Sequence, residues 1–304
     1  MNLSKPTLTC ALLFLGAIQP LHAEEAMSVD GKEVTRDEFV WFAHQERTGV
    51  IQFFNQKYGG GVGAGFWARD FHGTTPRAEL KRRTIARVTR EKIQQALFAE
   101  LCLVTNFTHA TFLENLERMN HERSDAVRRG EVIYGPTTFA AEQFYRHWLA
   151  SMQIHAKEIL AQSRLAATEQ QLKQYFVKNK KLFYAPARSS WEFTKVSKGQ
   201  TNLTNRLADI TDERFAECVG DESLVMELKS LRAGRILTEN LADGTTLIAK
   251  CVNRKPATRL LFEEAKPRVA SRLLDERYEK LIAERTGRAE VRLKGQEMDG
   301  INIE

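Results

Sequence analysis

Thr168-Glu-Gln-Gln-Leu-Lys-Gln-Tyr-Phe-Val-Lys-Asn-Lys-Lys-Leu-Phe-Tyr184 marks the point at which this chain changes character. Thr168 stands three residues ahead of Gln171, the spacing of a capping box. In that motif a hydroxyl and an amide side chain satisfy backbone N–H groups left free at a helix start. Leu172, Tyr175, Phe176 and Phe183 then recur at helical spacing among lysines and glutamines. Pro186 prevents the helix from continuing. Before this stretch the pattern is helical; after it, short strands and turns predominate. The fold class expected is therefore α+β.

Residues 1–23 have the layout of a secretory signal: Lys5, a mostly apolar run from Thr7 to Ile18, and Leu21-His22-Ala23 ahead of Glu24. Cleavage is expected near Ala23, with an uncleaved anchor as the other reading. No later stretch is long and apolar enough to span a bilayer, so no stable membrane insertion is expected after cleavage. The remaining chain keeps 44 basic against 39 acidic side chains, a net charge of +5. That bias is too mild for a nucleic-acid partner. Of the cysteines that remain, Cys102 falls among apolar residues of an expected helix and reads as a buried thiol. Cys218 and Cys251 are able to pair in an oxidising compartment.

In residues 24–167, Asp30-Gly31 reads as a hairpin turn and Thr35, with Glu38 three residues on, as a helix cap. In the helix that follows, Phe39, Phe42, Ala43, Val50, Phe53 and Phe54 form one apolar stripe. Val40, Ile51 and Tyr58 form a second, and Trp41 points away from both. A second apolar face suits either a buried helix or a cradle for unfolded chains. The glycine run 59–65 follows a helix where a nucleotide fingerprint needs a preceding strand, so it reads as a loop, with Phe66-Trp67 re-entering the core. Val40, Trp41, Ile51, Tyr58, Phe66 and Trp67 are the candidate client-binding residues. Further helices are expected from Thr75 to about Leu103, from His109 to Gly130 and from Phe139 to Ala161.

In residues 189–256, Trp191 to Val196 alternates as a half-buried strand, Asp212 to Cys218 and Val225 to Leu231 read as short helices, and Arg235 onward as strands. A last helix, about Leu261 to Arg285, carries Phe262, Val269, Leu273 and Ile282, and Ala289 to Leu293 ends as a strand.

The capped helix at Thr168, together with Val29-Asp-Gly-Lys-Glu-Val-Thr-Arg-Asp-Glu-Phe39, resembles the SurA/PrsA-like envelope foldases, whose isomerase module is of the parvulin (PpiC) type. Asp212-Glu-Arg-Phe-Ala-Glu217, Leu231-Arg-Ala-Gly-Arg-Ile236 and Ala249-Lys-Cys-Val-Asn-Arg-Lys-Pro256 resemble parvulin segments. The resemblance implies a mainly helical SurA-N/PrsA-like chaperone domain (24–167), a linking helix (168–188) and a reduced parvulin-like α/β domain (189–256). Residues 257–304 would form a C-terminal helix and strand that return to the helical domain. It also implies a location in the periplasm or cell envelope, with unfolded or nascent exported polypeptides as partners.

Parvulins carry histidines in their first and last strands, whereas all seven histidines here precede residue 156. The glycine-rich segment expected after the first helices is missing as well. No catalytic residue, metal site or cofactor is therefore expected, since no metal, phosphate-loop or nucleophile-elbow motif appears. Three readings stay open: a holding chaperone with weak or lost isomerase activity, an active peptidyl-prolyl isomerase with an unusual pocket, and a non-catalytic structural envelope protein.

Overall fold

The structure, a computed structural model, describes residues 24–59, 61–105, 107–197, 203–241 and 244–294. The expected signal segment, residues 1–23, and Gly60 of the glycine run lie outside them. The chain groups into two units, one from residues up to Ile159 with those from Tyr278 onward, the other from Leu160 to Arg277.

The first unit opens with a hairpin of β1 (Glu25–Val29) and β2 (Lys32–Thr35). Its turn residues Asp30 and Gly31 both have positive φ (47° and 74°), as tight hairpin turns require. Thr35 caps α1 (Arg36–Tyr58), its hydroxyl accepting from the Glu38 N–H at 3.2 Å. Gly59, left-handed, ends that helix. After a 3-10 turn at Phe66–Ala68, Thr75 caps α2 (Pro76–Glu100), with proline at the first turn where no N–H is needed. Thr108 and Thr111 form a reciprocal capping box at α3 (His109–Arg128), and α4 spans Ala141–Ala161. The end of α8 (Phe262–Arg288) and β9 (Val291–Leu293) complete this unit. β9 pairs antiparallel with β1, Met27 opposite Leu293, giving the sheet order β2-β1-β9. Tyr278 and Ile282 of α8 are fully buried. The helical domain is thus completed by the C-terminal helix.

The centre of this unit contains a polar seam. On α2, Glu91, Lys92, Gln94 and Gln95 are all buried. Lys92 donates to Glu38 of α1 at 2.9 Å, with both side chains almost fully enclosed. Glu38 therefore turns inward instead of completing the capping box on Thr35. The Tyr145 hydroxyl donates to Glu91 at 3.0 Å and accepts from Gln95 at 3.2 Å. Gln94 accepts from Gln153 at 2.7 Å and from the Tyr278 hydroxyl at 3.2 Å. These bonds tie α1, α4 and α8 to one face of α2, and they satisfy groups whose burial would otherwise be costly. Burial pushes the carboxyls of Glu38 and Glu91 above the usual range, with Lys92 and Tyr145 respectively working against the shift.

The second unit contains α5 (Glu169–Lys178), β3 (Tyr184–Ala185), β4 (Arg188–Val196), β5 (Leu203–Thr211), α6 (Asp212–Val219), α7 (Glu222–Ser230), β6 (Ile236–Asn240), β7 (Thr246–Lys255), β8 (Thr258–Arg259) and the first part of α8. The capping box at Thr168 is present in both directions. The helix it opens stops at Lys178, and a 3-10 turn follows at Lys180–Leu182. Leu172, Tyr175 and Phe183 pack with Ala265 and Val269 of α8.

The four-stranded antiparallel sheet runs β5-β4-β7-β6. β5 has no expected counterpart in the sequence reading. Its pairing with β4 slips by a bulge opposite Ser189–Trp191, where Asp209 has φ 49° and donates its N–H to the Ser190 hydroxyl. The bulge breaks the two-residue alternation that identifies a strand.

Candidate functional site

The six candidate client-binding residues fall into two groups on the first unit. Val40 and Trp41 sit near the start of α1, and Tyr58 ends it with Ile51 two turns earlier. From Trp41 to Tyr58 the helix rises about 25 Å. Trp41 does not point away from the core. Its ring lies 4.7 Å from Phe42, 5.1 Å from Tyr145, 5.7 Å from Phe112 and 5.6 Å from His109, measured between centroids. Burial and the nearby Lys92 charge hold His109 below its ordinary pKa, so this neighbour is a neutral ring. Tyr58 packs on Phe54, Phe71 and His72, and Phe66 is buried against Phe54 and Phe71. Trp67 is half-buried with the Arg47 guanidinium 5.4 Å from its ring.

Trp41, Tyr58 and Phe66 thus sit in aromatic clusters, while Val40, Ile51 and Trp67 are half-buried. Trp41→Ala is accordingly expected to lower stability by about 2–3 kcal/mol, the cost of emptying a partly enclosed aromatic site, read as an earlier urea transition. An unchanged transition would return Trp41 to the surface.

The apolar surface that does face solvent lies elsewhere. α3 buries only Phe112 and Ala126, leaving Leu113 and Val127 exposed. In the segment after it, Val132 is 86% exposed and Tyr134 91%. The backbone around them is fixed. Arg123 donates to the carbonyls of Pro136 at 2.8 Å and Tyr134 at 2.6 Å, while Asn120 exchanges two hydrogen bonds with the backbone of Phe139. The sequence signal was there: Val132-Ile133-Tyr134 is an apolar run between Gly130 and Gly135 with neither helical nor strand continuation.

In the second unit the sheet's covered face carries Trp191, Phe193, Ala249 and Cys251 beneath Phe215 of α6 and Leu228 of α7. Trp191 stacks on Phe215 at 4.7 Å, and its indole N–H donates to Ser189 at 2.8 Å. The other face is polar, with Arg206 paired to Glu192 at 3.0 Å and Thr194 bonded to Thr204 at 3.1 Å.

Cys218 and Cys251 are both free thiols and no bridge joins them: Cys218 is exposed on α6, while Cys251 is buried under the sheet. Burial also raises the Cys251 thiol's pKa, which keeps it protonated and unreactive. Cys102, expected to be buried, is exposed in the left-handed turn (φ 57°) that follows α2.

Between the sheet and the helices, Phe193, Leu207 and Leu247 of the strands, Leu224 of α7 and Leu241 line an open hollow of about 660 Å³, with Cys218, Arg206 and Asp221 also on its wall. Residues 160–277 contain no histidine. Among the described residues no group of three His, Cys, Asp or Glu side chains is placed to hold a metal ion. The hollow can receive an apolar side chain, but it holds no histidine to act as a base beside Cys218.

No protein-family model matches the sequence, and no curated protein matches it. Among solved structures, the chain is similar to a SurA-like chaperone of Campylobacter jejuni at TM-score 0.35 and 13% identity, over 88% of this chain and 98% of that one. It is also similar to the foldase protein PrsA of Lactococcus lactis at TM-score 0.29 and 10% identity, over 89% and 95%. For PrsA of Streptococcus pneumoniae the TM-score is 0.26 at 9% identity, over 77% of this chain and 97% of that one.

Proposed function

We propose that this protein is an exported holding chaperone that binds unfolded or nascent polypeptides in the periplasm or cell envelope and has lost most or all prolyl isomerase activity. The observation that carries this reading is the solvent-facing apolar surface of α3 and the segment after it: Leu113, Val127, Val132 and Tyr134. Exposed side chains of this size, spaced along α3 and the braced segment after it, suit transient capture of apolar client segments. The half-buried rim of Val40, Trp41, Ile51, Tyr58 and Trp67 contributes less, since most of its area is already spent in packing.

Weak or lost isomerisation is inferred from the second unit's lack of the two strand histidines that the resemblance to parvulins calls for. No helix among the described residues is long and apolar enough to cross a membrane, in keeping with a client-binding protein released after export. The apolar hollow beside Cys218 favours one competing reading, a residual isomerase that works by desolvating a prolyl amide.

Both readings are tested together. The chain from Glu24 onward should delay aggregation of an unfolded envelope protein, and Val132→Asp with Tyr134→Ser should remove about half or more of that delay without shifting the melting transition. The same chain should not accelerate isomerisation of a Xaa-Pro tetrapeptide. Failure to delay aggregation overturns the holdase assignment, and rapid prolyl isomerisation overturns the loss of catalysis.

A further inference from the structure

The chain's positive charge is not evenly shared. Residues 160–277 hold 21 lysines and arginines against 15 aspartates and glutamates, so this unit alone carries +6, while the rest of the chain after residue 23 is close to neutral. Part of that excess collects on one small lobe of the second unit. There β3 pairs with β8, Tyr184 opposite Arg259, and the Leu260 N–H donates to the Phe183 carbonyl at 3.1 Å. Arg268 of α8 donates to the carbonyls of Tyr184 at 3.0 Å and Leu182 at 3.3 Å, clamping the lobe from below. Phe183 is fully buried within it.

What the lobe shows to solvent is both basic and apolar. Lys180, Lys181 and Arg259 are exposed, and none of them meets a carboxylate among the described residues. Arg259 lies over the Tyr184 ring at 5.8 Å. Leu182 and Tyr184 are exposed beside them, and Leu261 protrudes with 72% of its surface in water. Of the acidic residues at hand, Glu264 turns back to accept the Leu261 N–H at 2.7 Å, and Glu263 occupies the first turn of α8.

We propose that this lobe is a peripheral docking surface for anionic lipid bilayers: Lys180, Lys181 and Arg259 meet the headgroups while Leu261, Leu182 and Tyr184 enter the interface. The cations lack acidic partners, which suits an anionic partner of either kind. The apolar side chains select a bilayer over an acidic polypeptide. They stand out singly among the cations, the arrangement by which interfacial segments anchor, with tyrosine at headgroup depth. This mode is reversible surface attachment and needs no membrane-spanning segment.

The test is co-sedimentation of the chain from Glu24 onward, without the signal segment, with vesicles of phosphatidylcholine alone or mixed with phosphatidylglycerol. Binding is expected only to the mixed vesicles. It should fall as salt shortens the screening length from about 10 Å to about 3 Å. Each basic side chain near such a surface multiplies partitioning about fivefold, so Lys180→Gln with Lys181→Gln should lower it about 25-fold. Leu261→Ser should lower it several-fold at unchanged charge. Arg259→Gln is read in place of the lysine pair should that double variant alter the melting transition. Equal binding to both vesicle types overturns the proposal, as does wild-type binding by the charge variants. Attachment to polyglutamate that is lost with the lysines but indifferent to Leu261 would instead make the lobe an acidic-polypeptide site.

Discussion

Replacing Lys92 by methionine is expected to destabilise the helical unit by about 3–5 kcal/mol at alkaline pH, because it strands the Glu38 carboxylate in a site only 3% exposed. Methionine retains most of the lysine stem, so the loss is electrostatic and not a packing defect. Removing both partners, Glu38→Leu with Lys92→Met, should recover most of the stability. A buried ion pair often contributes little net, while half of one is costly.

The pH dependence fixes the cause. Burial already raises the Glu38 carboxyl above its ordinary value of 4.5 with Lys92 in place, and without Lys92 it rises further. Above pH 4.5 the folded variant therefore binds a proton that the unfolded chain has released, and stability falls as pH rises toward the folded pKa. The deficit relative to wild type should be largest near about pH 8 and shrink toward about pH 5, measured by urea unfolding at each. A deficit that stays constant across that range would mean Glu38 is not left charged.

The same seam shows where sequence reading stops. Helix starts were legible because their signals are local: Thr35, Thr75 and Thr168 each cap a helix through an N–H three residues away. The Asp30-Gly31 turn was legible for the same reason. Glu91, Lys92, Gln94 and Gln95 look like a solvated helix face, and nothing near them in sequence says otherwise. Their partners Glu38, Tyr145, Gln153 and Tyr278 lie between 50 and 184 residues away.

The packing of Trp41 is likewise not legible in α1 by itself, since Phe112 of α3 and Tyr145 of α4 supply rings that it meets. β5 escaped because one bulge at Asp209 removes the alternation by which strands are recognised. The missing histidines of the second unit were plain in the sequence itself. The exposed run Val132–Tyr134 was visible as apolar residues without a period, but its exposure depends on Arg123 and Asn120 holding the segment away from the core.

Ending the chain after Arg277 should abolish cooperative folding of the first unit while leaving the second largely intact. The cut removes Tyr278 and Ile282, both fully buried, whose burial contributes about 1.5–3 kcal/mol each. It also leaves the buried Gln94 without its Tyr278 partner, and it takes away β9, exposing the edge of β1. Together these losses approach the whole stability of an ordinary domain, about 5–15 kcal/mol. The paired hydrogen bonds of Arg285 to Glu100, at 2.7 and 2.9 Å, matter far less. They join partly exposed side chains, and Arg285→Ala in the full chain should cost about 1 kcal/mol or less.

The tryptophans separate the two outcomes, since Trp41, Trp67 and Trp148 lie in the first unit and Trp191 in the second. In residues 24–277, quenching by iodide should reach the first three and spare Trp191, which is stacked on Phe215. If all four stay protected and the urea transition keeps its midpoint and steepness, the helices fold without the C-terminal segment. The Tyr278–Gln94 bond and the β1–β9 pairing would then be consequences of the fold rather than conditions for it.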